Sequence, residues 1–89
     1  MYILANKKNG TIYTGVTSDL RKRIWEHKND AIEGFTRKYK VYLLFYYEFC
    51  DTMVQAIERE KLIKAGSRKK KLLLIEKDNP EWQDLYDDR

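Results

Sequence analysis

Cysteine and histidine are almost missing from these 89 residues, which contain only Cys50 and His27. A single thiol closes no internal disulfide, and one Cys with one His makes no structural zinc site. The four glycines (Gly10, Gly15, Gly34 and Gly66) are scattered, so no glycine-rich phosphate loop is present. No apolar run approaches the roughly 20 residues of a membrane span. The longest, Val41 to Tyr47, has the length and β-rich composition of a buried strand. No basic, apolar and small-residue leader opens the chain, so the expectation is a cytoplasmic protein with no membrane partner. Common catalytic sets are missing too. Ser18 and Ser67 have no nucleophile turn around them, and nothing in the pattern brings Cys50 to His27. Glu58 and Glu60, two apart, would point to different faces of a helix.

What is present is charge, unevenly spread. Residues 1–77 carry 17 Lys and Arg against 9 Asp and Glu, whereas residues 78–89 carry one Arg against five acids. A basic body of this kind attracts a polyanion such as nucleic acid, chiefly through phosphate neutralisation. The length sets a single domain over residues 1–89, because a core this small cannot be divided and stay stable. Hydrophobic residues at 43% supply that core.

Local patterns give an α+β order. Tyr2–Asn6 reads as a strand, Asn9-Gly10 as a hairpin turn, and 11–16 as the returning strand. Gly15, near its end, marks a bend or a close backbone approach. Ser18 is expected to cap a helix over 19–28, with Leu20 and Ile24 facing the core and Arg23 and His27 forming a second i, i+4 pair. Residues 29–40 read as a loop with at most a short turn. Residues 41–49 form the third strand, expected at the centre of the sheet. A second helix follows to about Lys64 behind Asp51 or Thr52, and a third runs from Ser67 to Ile75 or Glu76. Asn79-Pro80-Glu81-Trp82 predicts a short C-terminal helix with Pro at its first position. The expectation is thus a small antiparallel three-stranded sheet flanked by helices, in the order β-β-α-β-α-α with that short helix last.

The remaining polar residues allow one kind of chemistry. Tyr2 and Tyr13 lie on paired strands, Arg23 is on the next helix, and Glu60 sits in an amphipathic one. A phenol, a guanidinium and a carboxylate converging at a sheet edge suit phosphoryl chemistry: the carboxylate holds Mg²⁺, the cation offsets charge, and the phenol positions water. Residue types alone do not single this reading out.

Tyr2-Ile3-Leu4, Tyr13-Thr14-Gly15, the run from Gly15 to Arg23 and the stretch from Arg59 to Lys64 follow in an order that resembles the GIY-YIG nuclease family in its small single-domain branch. Tyr2-Ile3-Leu4 is similar to the first motif strand and Tyr13-Thr14-Gly15 to the second, with ten residues between the two tyrosines. The run from Gly15 to Arg23 matches G-x-T-x-D-L-x-x-R, and Glu26-His27 continues it. Arg59-Glu60-Lys61-Leu62-Ile63-Lys64 resembles the R-E-K-x-I-K helix that carries the family's metal-binding glutamate. Met1 and Thr11 stand where a glycine would be expected, and Val16 where some relatives have Lys.

The resemblance implies a nuclease cleaving DNA with Mg²⁺ or Mn²⁺. It implies that Tyr2 orients water or the scissile phosphate, Tyr13 acts as or assists a general base, and Gly15 admits the phosphate to the backbone. Arg23 would offset transition-state charge, Glu60 would bind the metal, and His27 would stand where many relatives place another tyrosine, as base or hydrogen-bond donor. Lys38, Lys61, Lys64, Arg68, Lys69 and Lys70 are candidate phosphate contacts. Phe35, Arg37, Lys38 and Tyr39 mix aromatics with cations, as single-strand binders do. Two other classes compete: a nucleic-acid-binding module with a vestigial site, and a protein adaptor using the acidic tail from Asp78 to Asp88.

Overall fold

The computed structural model describes residues 1–32 and 34–86. They form β1 (Tyr2–Ala5), β2 (Ile12–Gly15), α1 (Leu20–Lys28), α2 (Phe35–Lys38), β3 (Leu43–Tyr47), α3 (Met53–Ala65) and α4 (Arg68–Asp78). The order is β-β-α-α-β-α-α, an α+β domain on one antiparallel sheet. No helix among the described residues is long and apolar enough to cross a membrane.

The hairpin closes at Lys7–Gly10, where Gly10 N–H donates to the Lys7 carbonyl at 2.9 Å. Asn9 takes the left-handed conformation, with φ of 58°. Gly10 is needed for a different reason: a Cβ there would lie 2.0 Å from Asn6 Oδ1, which accepts from Thr11 N–H at 3.0 Å.

The sheet order is β2-β1-β3, so the central strand is β1 and not the third strand expected there. The apolar run in β3 has another cause. Ile3 pairs with Tyr46 and Leu4 with Leu44, leaving Phe45 as an extra residue in a bulge. The bulge breaks the alternation and sends both Phe45 and Tyr46 to one face. The outer edge of β3 is also covered, because Leu85 N–H donates to the Leu44 carbonyl at 2.7 Å and Asp84 Oδ1 accepts from Leu44 N–H at 3.1 Å.

Alternation in β1 divides the core. Ile3 and Ala5 join Ile75, Phe45 and Trp82 on one face, with Ile63 and Leu72 packed alongside. Tyr2 and Leu4 join Ile24, Val41 and Leu44 on the other, with Tyr13 and Leu20 at its margin. Helix α3 packs on β2, and α4 on β3. Side-chain caps start the long helices: Thr52 Oγ1 accepts from Gln55 N–H, and Ser67 Oγ from Lys70 N–H. Asp19, rather than Ser18, caps α1, since its carboxylate accepts from Lys22 N–H at 3.2 Å.

One local expectation holds and another gives way to tertiary contacts. Within the expected loop, residues 35–38 form the single-turn α2. The expected C-terminal helix is missing from residues 79–86, where Trp82 adopts a φ of 53° that stops helical propagation. Asn79 organises this segment instead. Its amide donates to the carbonyls of Phe45 and Gln83, and its Oδ1 accepts from Gln83 N–H. Asn79→Ala leaves the buried Phe45 carbonyl unpaired and frees the Gln83 backbone, and is expected to lower stability by about 1–3 kcal/mol. Thermal unfolding followed by circular dichroism should show a drop of at least ~4 °C.

Candidate active site

The antiparallel register sets Tyr2 opposite Gly15, and Leu4 opposite Tyr13. Tyr2 and Tyr13 are therefore diagonal neighbours on the α1 side of the sheet, with ring centroids 6.3 Å apart. No side chain at position 15 separates them. A Cβ on Gly15 would sit 2.6 Å from the Tyr2 Cζ and hydroxyl and 2.9 Å from the Tyr13 ring. The close approach expected at this glycine is thus made by the Tyr2 phenol.

Helix α1 brings His27 against both rings, at 5.9 Å from Tyr2 and 5.8 Å from Tyr13 between centroids. Its Nε2 lies 3.1 Å from the Tyr2 hydroxyl and its Nδ1 lies 3.0 Å from Thr36 Oγ1. Tyr2, His27 and Thr36 are all buried. Burial, and then the neighbouring Tyr13 phenol, hold the Tyr2 pKa well above the ordinary phenol range, with Arg23 opposing and Glu26 and Glu60 adding to the rise. Tyr2 accordingly keeps its proton at neutral pH and is a hydrogen-bonding group. Burial, helped by the Arg23 cation, holds His27 below its ordinary value near 6.5, against the pull of Glu26. A neutral imidazole between two hydroxyls can exchange donor and acceptor roles along the row Thr36–His27–Tyr2.

Arg23, one turn before His27, is half-exposed and lies 3.8 Å from Glu26. Its field acts on both Tyr2 and His27. Glu60 arrives from α3, with its side chain 13% exposed and bonded to Lys64 Nζ at 3.0 Å. That same Nζ lies 5.8 Å from the centre of the Tyr13 ring. The rotation of α3 is fixed one residue earlier, where Arg59 Nε donates to Glu48 at 2.6 Å and the Tyr46 hydroxyl donates to the same carboxylate at 2.6 Å.

Among the described residues, no three His, Cys, Asp or Glu side chains assemble into a metal cage. His27 has hydroxyl partners at both ring nitrogens. Glu60 offers a single hard oxygen donor group, which suits an ion such as Mg²⁺ that keeps several waters and takes substrate phosphate oxygens.

Tyr2, Tyr13, Arg23, His27 and Glu60 are therefore grouped by four elements: β1, β2, α1 and α3. A family model of the GIY-YIG catalytic domain matches residues 1–72, a span that contains all five. The chain belongs to the GIY-YIG family. The UPF0213 protein of Staphylococcus saprophyticus is 43% identical over 68 residues, covering 76% of this chain and 83% of that protein. A UPF0213 protein of Clostridium perfringens is 40% identical over 75 residues, covering 84% and 80%. One from Bacillus pumilus is 37% identical over 68 residues, covering 76% and 69%. No solved structure gives a match.

The candidate phosphate contacts of this GIY-YIG domain fall into separate groups. Lys64 is at the cluster, and Lys38 is on α2 with its Nζ 5.4 Å from the Tyr39 ring centre. Lys61, Lys69 and Lys70 are exposed on α3 and α4. Arg68 is committed elsewhere: it donates to the carbonyls of Asn9 and Gly10 at 2.7 and 2.6 Å, fastening α4 to the hairpin turn. Sequence reasoning missed Thr36, which holds His27, and the Tyr46–Glu48 pair that orients α3 through Arg59. Each acts between different elements of the fold, Thr36 from α2 on α1 and Glu48 from beyond β3 on α3, so no local signal marks it.

The lowered His27 pKa carries a pH signature. Between pH ~6.5 and the lower folded value, the unfolded chain binds a proton that the folded chain does not, so stability is lost as pH falls through this window. The wild-type melting temperature is expected to fall more steeply than that of His27→Gln between pH 7.5 and 5.5. Parallel curves would remove His27 as the titrating group.

Proposed function

We propose that this GIY-YIG domain is a divalent-metal-dependent endonuclease that hydrolyses phosphodiester bonds in DNA. The observation that carries the reading is the grouping of two phenols, a neutral imidazole, a guanidinium and a carboxylate around the β1–β2 hairpin. These are the parts that in-line hydrolysis of a phosphodiester requires.

Tyr2, protonated and held by His27, donates a hydrogen bond and orients the scissile phosphate. Tyr13 is less buried and positions the attacking water, whose proton leaves to solvent beside that phenol, while His27 Nε2–H holds the Tyr2 oxygen and leaves the one Tyr2 proton for the phosphate. Water oxygen bonds to phosphorus as the ester P–O bond on the opposite side breaks, and the leaving oxygen takes a proton from solvent to become the alcohol. The Arg23 guanidinium offsets charge developing on the phosphoryl oxygens. Gly15 keeps the space in which the two phenols meet. Glu60 would hold Mg²⁺ or Mn²⁺, which supplies Lewis-acid stabilisation of phosphoryl charge. Lys38, Lys61, Lys64, Lys69 and Lys70 supply salt-sensitive contacts to the DNA backbone.

Purified protein incubated with supercoiled, branched and single-stranded DNA should nick at least one of them with Mg²⁺ or Mn²⁺ and none in chelator. Salt-sensitive binding without cleavage of any substrate would contradict this reading and support a non-catalytic binding module.

A further inference from the structure

Two large aromatics beside the candidate active site serve neither core. Phe35 and Tyr39 are each 45% exposed, and neither belongs to a core cluster. They lie one turn apart across α2, with ring centroids 4.8 Å apart. Phe35 is also stacked against Tyr13, at 6.1 Å and 27°. The rings thus continue from the polar cluster outward to the surface. Cations flank the row at both ends, with Lys64 over Tyr13 and Lys38 over Tyr39.

Anchoring of α2 does not account for these rings. The helix is held by buried Thr36, whose hydroxyl meets His27 and whose carbonyl accepts from Val41 N–H at 2.8 Å. Exposed rings set among cations are the equipment that binds single strands, since every nucleobase has a π-face and every linkage a phosphate. In a paired duplex the base faces are covered by their neighbours. Away from duplex ends, only an unpaired base can lie on Phe35 or Tyr39.

We infer that Phe35 and Tyr39, backed by Tyr13, form a stacking platform for an unpaired nucleobase close to the scissile phosphate. The substrate class is then DNA with single-stranded character at the cleavage point. This inference rests on the nuclease reading, which sets where the phosphate lies, but base stacking itself needs no cleavage.

The test is equilibrium binding in chelator, comparing a single-stranded oligonucleotide with an abasic strand of equal length. Wild-type protein is expected to bind the base-bearing strand at least about fivefold more tightly for each base that stacks. Phe35→Ala/Tyr39→Ala should reduce it to the abasic level, while Phe35→Trp should retain the preference. Equal wild-type affinity for the two strands would overturn the platform. So would a double variant that weakens both alike, or a lack of binding to either. Cleavage of the same strands with Mg²⁺ separates the two claims. Base-dependent binding without metal-dependent cleavage leaves the platform and removes the nuclease reading; cleavage with base-independent binding does the reverse.

Discussion

Replacing Glu60 by Gln is expected to abolish most metal-dependent cleavage and leave DNA binding in place. The amide keeps the shape of the carboxylate but loses its charge, and one neutral carbonyl oxygen is a poor substitute in holding a divalent ion. Removal of a group that stabilises the transition state commonly costs about 10²–10³ in rate. The fold should tolerate the change. Among the described residues Glu60 pairs with Lys64, whose side chain is half-exposed, and such helical pairs contribute a few tenths of a kcal/mol. An unchanged melting temperature with a collapsed single-turnover rate is the expected pair of results. A folded variant cleaving at the wild-type rate would remove Glu60 from the chemistry.

Gly15→Ala is expected to damage stability and cleavage together. The new methyl would sit 2.6 Å from the end of the Tyr2 side chain, far inside contact distance. A free surface phenol would swing aside, but Tyr2 is 2% exposed and its hydroxyl is held by His27. The ring must therefore be pushed off its partner or the hairpin must open. Overpacking of this kind costs about 1–3 kcal/mol, equivalent to a fall of at least ~4 °C in melting temperature. Residual folded protein should cleave slowly because the Tyr2–His27 contact is broken. Wild-type values in both measurements would mean that the methyl finds room without moving Tyr2.

Much of this fold was legible because its signals are local. The Asn9-Gly10 turn, the two hairpin strands and the capped starts of α3 and α4 each need only a few neighbouring residues. The centre of the sheet was not legible. Val41 to Tyr47 reads as a run buried on both faces, but its continuity comes from the Phe45 bulge and from the tail bonded along its edge. The C-terminal helix signal at Asn79-Pro80 was real in kind but lost to tertiary contacts. Trp82 packs on Phe45 at 5.1 Å, and Leu85 bonds to Leu44. An isolated short helix has little stability with which to resist them.

The candidate site divides the same way. Tyr2, Tyr13 and Gly15 are related by hairpin register, and Arg23 and His27 by helical spacing. Glu60 joins them only because α3 lies along β2, a long-range fact that the resemblance anticipated and composition did not. Thr36 is invisible in sequence because its role depends on α2 packing back against His27.

The most direct measurement is single-turnover cleavage of one labelled DNA substrate by wild-type protein, Glu60→Gln and Glu58→Gln, with Mg²⁺ present. Glu58 is an exposed acid on the same helix and controls for the loss of a negative charge. Wild type and Glu58→Gln are expected to cleave at matching rates, with Glu60→Gln slower by about 10²–10³. Equal rates for all three, or equal loss in both variants, would contradict an active site built around Glu60.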